Sequence, residues 1–252
     1  MNKVFYSHFH IIDPRFPLVA DSGFLPQEFS CAHYQARAKQ LNIVGGAVVS
    51  ASFQAFDQTY LAAALQTLGP SFVGVTQLPA STTDAEILEL HQAGVRALRF
   101  NLRRGGSASV EELEPFARRV YETAGWHVEL YVDSRALADL FDRLVGLPAV
   151  AIDHLGLSRS GFPMLIQLVE RGVYVKVSGF GRIDFDPRQA LDDLASVNAD
   201  ALLFGTDLPS TRARRPFRNQ DLDLVVEVLG SEIAEKVLYR NAVSLYRPRN
   251  IP

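Results

Sequence analysis

The chain has 252 residues, a net charge of −3 and 48% hydrophobic residues. That balance supports a sizeable core and excludes a global basic footprint for nucleic acid or an anionic membrane. The one cysteine, Cys31, rules out an intrachain disulfide and predicts a reducing, cytoplasmic setting.

No secretory leader is read at the N-terminus, and no apolar run reaches membrane-spanning length. Linkers, low-complexity tracts and fixed-period repeats are absent, so residues 1–252 are expected to form a single domain.

The first predicted strand, VFYSHFH (4–10), ends in His8 and His10. Residues two apart share a strand face, so both imidazoles point the same way. Taken alone, the pair is a weak signal, as open to ordinary packing as to metal ligation and catalytic hydrogen bonding together. Further apolar, β-branched strands follow at 46–52, 72–78, 97–102, 127–133, 149–155, 173–179 and 201–207. Helix patterns fill the intervals. Those at 57–69 and 82–94 end in Gly. The one at 109–125 opens on a Ser109/Glu112 capping-box pattern, with Pro115 marking a kink or a later start. Helical patterns at 133–146, 162–172, 186–198, 219–230 and 233–246 complete the alternation.

Eight strand–helix units predict an α/β fold, a (β/α)8 TIM barrel. A doubly wound open sheet is the second choice, without a GxGxxG or GxxxxGK[ST] motif to support a nucleotide site. In a barrel the functional side chains stand at the C-terminal strand ends. There the chain offers His8 and His10, Ser52 with Gln54 and Asp57, Gln77, Arg99 and Asn101 with Arg103 and Arg104, Tyr131 and Asp133, Asp153 and His154, Lys176 and Ser178 with Arg182, and Asp207. So many polar groups have no place in an apolar interior unless they are paired or functional.

With these residues in place, the chain resembles the amidohydrolase superfamily. The resemblance rests on HxH in strand 1, DHLG in strand 6 and FGTD with a following Pro in strand 8. RFN at 99–101, VKVSGFGR at 175–182 and YRNAVSLY at 239–246 narrow it to the lactonase-type branch, the 2-pyrone-4,6-dicarboxylate hydrolases and sugar lactonases. The resemblance implies hydrolysis of a small anionic lactone. Asp207 is then the general base, and His8, His10 and His154 polarise the carbonyl. It further implies that Arg99, Arg182 and one of Arg103 or Arg104 bind substrate carboxylates, with Tyr131, Ser52 and Gln77 also lining the site. Neither Arg99 nor Arg182 has an acidic partner nearby in sequence.

Many relatives hold a divalent metal, and here His8, His10, His154 and Asp207 are available for one zinc. The strand-4 Lys or Glu and the strand-5 end His of metal enzymes are missing, so metal-free chemistry is expected, with mononuclear zinc as the alternative. The strand-2 loop also departs from the dicarboxylate hydrolases, with Gln54 where a histidine is expected. A zinc sugar lactonase or decarboxylase, and a non-catalytic acid-binding barrel, are the competing functions; the intact base argues against the last.

The remaining histidines need no catalytic role. His127 begins its strand and reads as structural, His33 precedes a polar helix, and His91 lies on an exposed helix face. Arg212, Arg214, Arg215 and Arg218 follow strand 8. They form either a solvated loop or an attractor for an anionic substrate.

Overall fold

A computed structural model describes residues 2–39 and 41–251. Eight parallel strands run in sequence order: β1 (Val4–Phe9), β2 (Ile43–Val49), β3 (Phe72–Thr76), β4 (Val95–Phe100), β5 (His127–Leu130), β6 (Val150–Ile152), β7 (Tyr174–Val177) and β8 (Leu202–Phe204). The last returns to the first. Phe9 bridges Leu208 in parallel, and the Thr206 and Asp207 amides donate to the His8 carbonyl. This closure makes the sheet a (β/α)8 barrel and excludes the open doubly wound sheet.

The helices are α1 (Cys31–Ala38), α2 (Thr59–Leu68), α3 (Asp84–Ala93), α4 (Leu113–Ala124), α5 (Leu137–Val145), α6 (Phe162–Glu170), α7 (Pro187–Asn198), α8 (Asn219–Glu235) and α9 (Asn241–Tyr246). Among the described residues, no helix is long and apolar enough to cross a membrane. Pro115 lies in the first turn of α4, where its missing N–H costs nothing. The Ser109/Glu112 pattern instead opens a short 3₁₀ turn, in which the Glu112 carboxylate accepts the Ser109 N–H at 2.9 Å. His33 sits inside α1 rather than before it. His91 is half-buried, and its Nδ1 accepts the Trp126 indole N–H at 3.1 Å.

Two apolar cores flank the barrel wall. Outside it, Tyr6, Leu98, Phe100, Leu130, Trp126, Ile152 and Leu165 fill the space between strands and helices. Inside, Phe5, Val49, Val75, Ala97, Ala151, Leu203 and Tyr246 fill the lower barrel, with Tyr246 stacked on Phe5. Each fully buried side chain of this size stabilises the fold by about 1.5–3 kcal/mol. Above this floor the inward positions turn polar. Register shifts in β1 carry the chain from inward Phe5 to inward His8 and His10.

Candidate active site

The polar interior begins with a buried charge network. Lys176 on β7 bonds the Glu129 carboxylate on β5 and lies 3.4 Å from Asp153, which follows β6. Glu129 also accepts from Tyr246, and His127 contacts it at 3.2 Å. Arg99 donates through Nε and Nη2 to Asp153 and through Nη1 to the Ser50 carbonyl at 2.7 Å. Burial would raise Asp153, yet neighbouring His8, Lys176 and Arg99 hold its carboxyl well below the usual range. His127 is therefore a support for Glu129 deep in the barrel, as its place at the strand start implies.

His8, His10, His154 and Asp207 converge directly above. His8 Nε2 lies 3.3 Å from His10 Nε2, and His10 Nδ1 donates to the Val49 carbonyl at 2.7 Å. A carbonyl only accepts, so neutral His10 presents a bare Nε2. Asp207 Oδ1 stands 3.6 Å from that nitrogen and 3.8 Å from His154 Nε2. His154 Nδ1 is 2.9 Å from the Ser178 hydroxyl, whose O–H can donate there and leave His154 Nε2–H as a donor. Burial pushes His154 down to about 4 and His8 further below its ordinary value, so both are neutral at pH 7.

Local backbone aims these groups. His154 and Asp207 have φ of 53° and 59°, a left-handed conformation that is costly for side-chain-bearing residues. Two motif glycines make room for them. A Cβ on Gly179 would lie 2.6 Å from His154 Nδ1, and one on Gly205 would lie 2.9 Å from His8 Cβ.

The mouth above is lined by His10, Ser52, Arg99, Asn101, Arg104, Tyr131, His154, Arg182 and Arg212, among others. Arg182 grips Asp207 with two bonds, Nε–Oδ2 at 2.6 Å and Nη2–Oδ1 at 3.1 Å, and also donates to the Thr211 carbonyl. Burial alone would raise Asp207. Arg182, His154 and His10 together outweigh it and keep the carboxyl ionised far below the ordinary carboxylate range. Tyr131 sits beneath the Arg99 guanidinium, 5.3 Å from ring centre to Cζ, and edge-on to His154.

Several expectations need correction. Arg99 and Arg182 do have acidic partners, Asp153 and Asp207, which are distant in sequence and adjacent in space. Arg103 turns away from the mouth to pair with Asp133 at 3.0 Å, and the guanidinium at the rim is that of Arg104. Asn101 shapes this loop by accepting the Arg104 amide at 3.0 Å. Gln77 does not line the mouth. Its amide donates to the carbonyls of Ala51, Ala55 and Gly106, tying two loops together. Gln54 likewise bridges the Ala51 amide and the Ile11 carbonyl.

Sequence reasoning placed Lys176 and Ser178 at strand ends without giving them a role. It passed over Glu129 altogether. The signal for Glu129 was its parity with His127 and Tyr131 along one strand face.

The amidohydrolase family profile matches residues 6–247. The chain belongs to the amidohydrolase family. This amidohydrolase is 26% identical to 2-pyrone-4,6-dicarboxylate hydrolase of Comamonas testosteroni, across 97% of this chain and 90% of that protein. It is 24% identical to 4-sulfomuconolactone hydrolase of Rhizobium radiobacter, across 95% and 88%. A solved Pseudomonas putida structure, provisionally named a 2-pyrone-4,6-dicarboxylic acid hydrolase, superposes with a TM-score of 0.83 at 27% identity, covering 97% of each chain.

Proposed function

We propose that this amidohydrolase hydrolyses a carboxylated lactone, 2-pyrone-4,6-dicarboxylate or a close analogue. One observation carries the reading: an ionised carboxylate, Asp207, stands with two imidazoles under a rim of guanidiniums. The named relatives act on lactones bearing carboxylate or sulfonate, which such a rim suits. Asp207, helped by the bare Nε2 of His10, takes a proton from the attacking water. His154 Nε2–H donates to the ring carbonyl as it becomes an oxyanion, and His8 supports His10 from below. The oxyanion then collapses, the ring C–O bond breaks, and the proton held by Asp207 passes to the leaving ring oxygen. A substrate carboxylate draws on Arg182 and so weakens its hold on Asp207, which raises the basicity of that carboxylate when substrate is present.

The set also fits one divalent ion. His8, His10 and Asp207 each offer one ligand atom, all within 4.8 Å of one another. The Val49 carbonyl orients His10 as a ligand would need. These residues with His154 would hold zinc, which supplies Lewis-acid polarisation and a more acidic water. The metal-free reading draws support from Arg182, which already takes both Asp207 oxygens, and from the Lys176 ammonium 3.2 Å from His8 Nδ1.

The test is turnover of 2-pyrone-4,6-dicarboxylate, 4-sulfomuconolactone and neutral aldonolactones by purified protein, before and after chelation, with elemental analysis. The anionic lactones are expected to be hydrolysed, and activity to survive chelation. Faster turnover of neutral lactones overturns the substrate class. Stoichiometric zinc, with activity lost to chelator and restored by zinc, overturns the metal-free route.

A further inference from the structure

The mouth is constricted. The cavity among His10, Arg104, Tyr131, His154, Arg182 and Arg212 has about 30 Å³ of free space. That admits a water or two, whereas pockets for small organic ligands run to about 300–1,000 Å³. Something must move before a substituted ring can reach Asp207.

The closing contact is an ion pair across the rim. Asp21 and Phe24 exchange two backbone hydrogen bonds of 3.0 Å around Ser22 and Gly23, which have φ of 52° and 77°. This is a tight two-residue turn of the kind that favours positive φ at both centres. It holds the Arg212 guanidinium on two sides. Arg212 Nη2 donates to Asp21 Oδ2 at 2.6 Å, and its Cζ sits 4.4 Å over the Phe24 ring. The same Asp21 oxygen accepts the Ser52 hydroxyl at 2.6 Å. The turn comes from the segment after β1, Arg212 from the segment after β8 and Ser52 from that after β2, so one carboxylate ties three loops over the site.

We propose that Arg212 exchanges Asp21 for the outer anionic group of the substrate, and that this exchange opens the mouth and selects doubly anionic lactones. This inference rests on the lactone reading above and extends it. The exchange replaces one anion by another, so the Arg212 guanidinium, whose side chain is 19% exposed, keeps a counter-charge in both states. A neutral ring offers nothing to displace Asp21 and leaves the three loops tied. Arg104, which shows no carboxylate partner among the described residues, stands in the same mouth to share the incoming charge.

The test separates binding from turnover. Benzene-1,3-dicarboxylate carries its carboxylates in the same meta relation as the 4,6-dicarboxylate and cannot be hydrolysed; benzoate is its singly charged counterpart. Calorimetry should show wild type preferring the dicarboxylate. Arg212→Gln should weaken dicarboxylate binding about tenfold or more while moving benzoate less than about twofold. Asp21→Asn should tighten dicarboxylate binding several-fold, and Ser52→Ala should act in the same direction, with melting curves checking the fold. No dicarboxylate preference in wild type, equal losses for both ligands in Arg212→Gln, or weaker dicarboxylate binding in folded Asp21→Asn and Ser52→Ala each overturns the exchange. If the binding pattern appears but no lactone is turned over, the exchange stands and the lactonase reading falls.

Discussion

Asp207 carries more than one duty. It is the proposed proton acceptor and also the partner that neutralises Arg182. Asp207→Asn should therefore lower hydrolysis by about 10²–10⁴, and it should cost some stability because Arg182 loses its counter-charge. Near-normal turnover in a folded variant removes Asp207 from the base role. His154 sets an acid limit on the fold. Its pKa is about 6.5 unfolded and about 4 folded. Between those values the unfolded chain binds a proton that the folded chain refuses, so stability falls as pH drops from above 6.5 towards 4 and this contribution levels off below. The effect is roughly 3 kcal/mol for this residue. Urea titrations at pH 7 and pH 4.5 check it, and an unchanged midpoint would show that His154 charges freely in the native state.

At the scale of the element, the strand ends were legible and the polar floor beneath them was not. Period-two parity brought His8 with His10, Arg99 with Asn101 and Lys176 with Ser178 onto shared inward faces, because residues two apart in a regular strand point the same way. Pairing between strands has no local trace. Arg99 finds Asp153 across 54 positions and Lys176 finds Glu129 across 47, so the arginines read as free clamps when they are braced. The β2 window started late because Gly45 and Gly46 interrupt its apolar run, and the strand begins at Ile43. Loop residues such as Gln77 and Arg103 shared the composition of site residues, and only the path of the chain separates them. The floor itself is testable. Lys176→Met leaves Glu129 without its buried cation, while Asp153 keeps Arg99, and should destabilise by about 3–5 kcal/mol. Lys176→Met with Glu129→Gln removes charges of both signs and should recover part of that loss. Thermal melts read both, and a double variant no better than the single would show that Lys176 does not serve as the counter-ion of Glu129.

For the whole molecule, the barrel divides its labour by height. Aliphatic and aromatic residues pack the bottom, matched charges occupy the middle, and the proposed reacting groups sit on top, backed by Val49, Ser178 and Lys176. The expectation of a TIM barrel follows from eight alternating units and holds throughout the described chain. What the alternation did not convey is how the loops after β1, β2 and β8 meet over the mouth, since Asp21 and Arg212 are 191 positions apart.

The matched charges at mid-height have a kinetic consequence. Ions cancelled within a few ångströms of one another project little field into solvent, so the floor is nearly silent to an approaching molecule. The rim is not, because Arg104 shows no carboxylate partner among the described residues. A protein with net charge −3 thus turns a locally positive funnel towards the proposed dianionic lactone, which its overall charge repels. Capture should then respond to ionic strength while the chemical step does not. Raising salt from about 0.01 M to 0.15 M shortens the screening length from about 30 Å to 8 Å. Over that range kcat/KM for a doubly charged lactone should fall several-fold with kcat unchanged, and Arg104→Gln should flatten the salt dependence. A kcat that falls in parallel would place the charge effect in the bound complex instead of in the encounter.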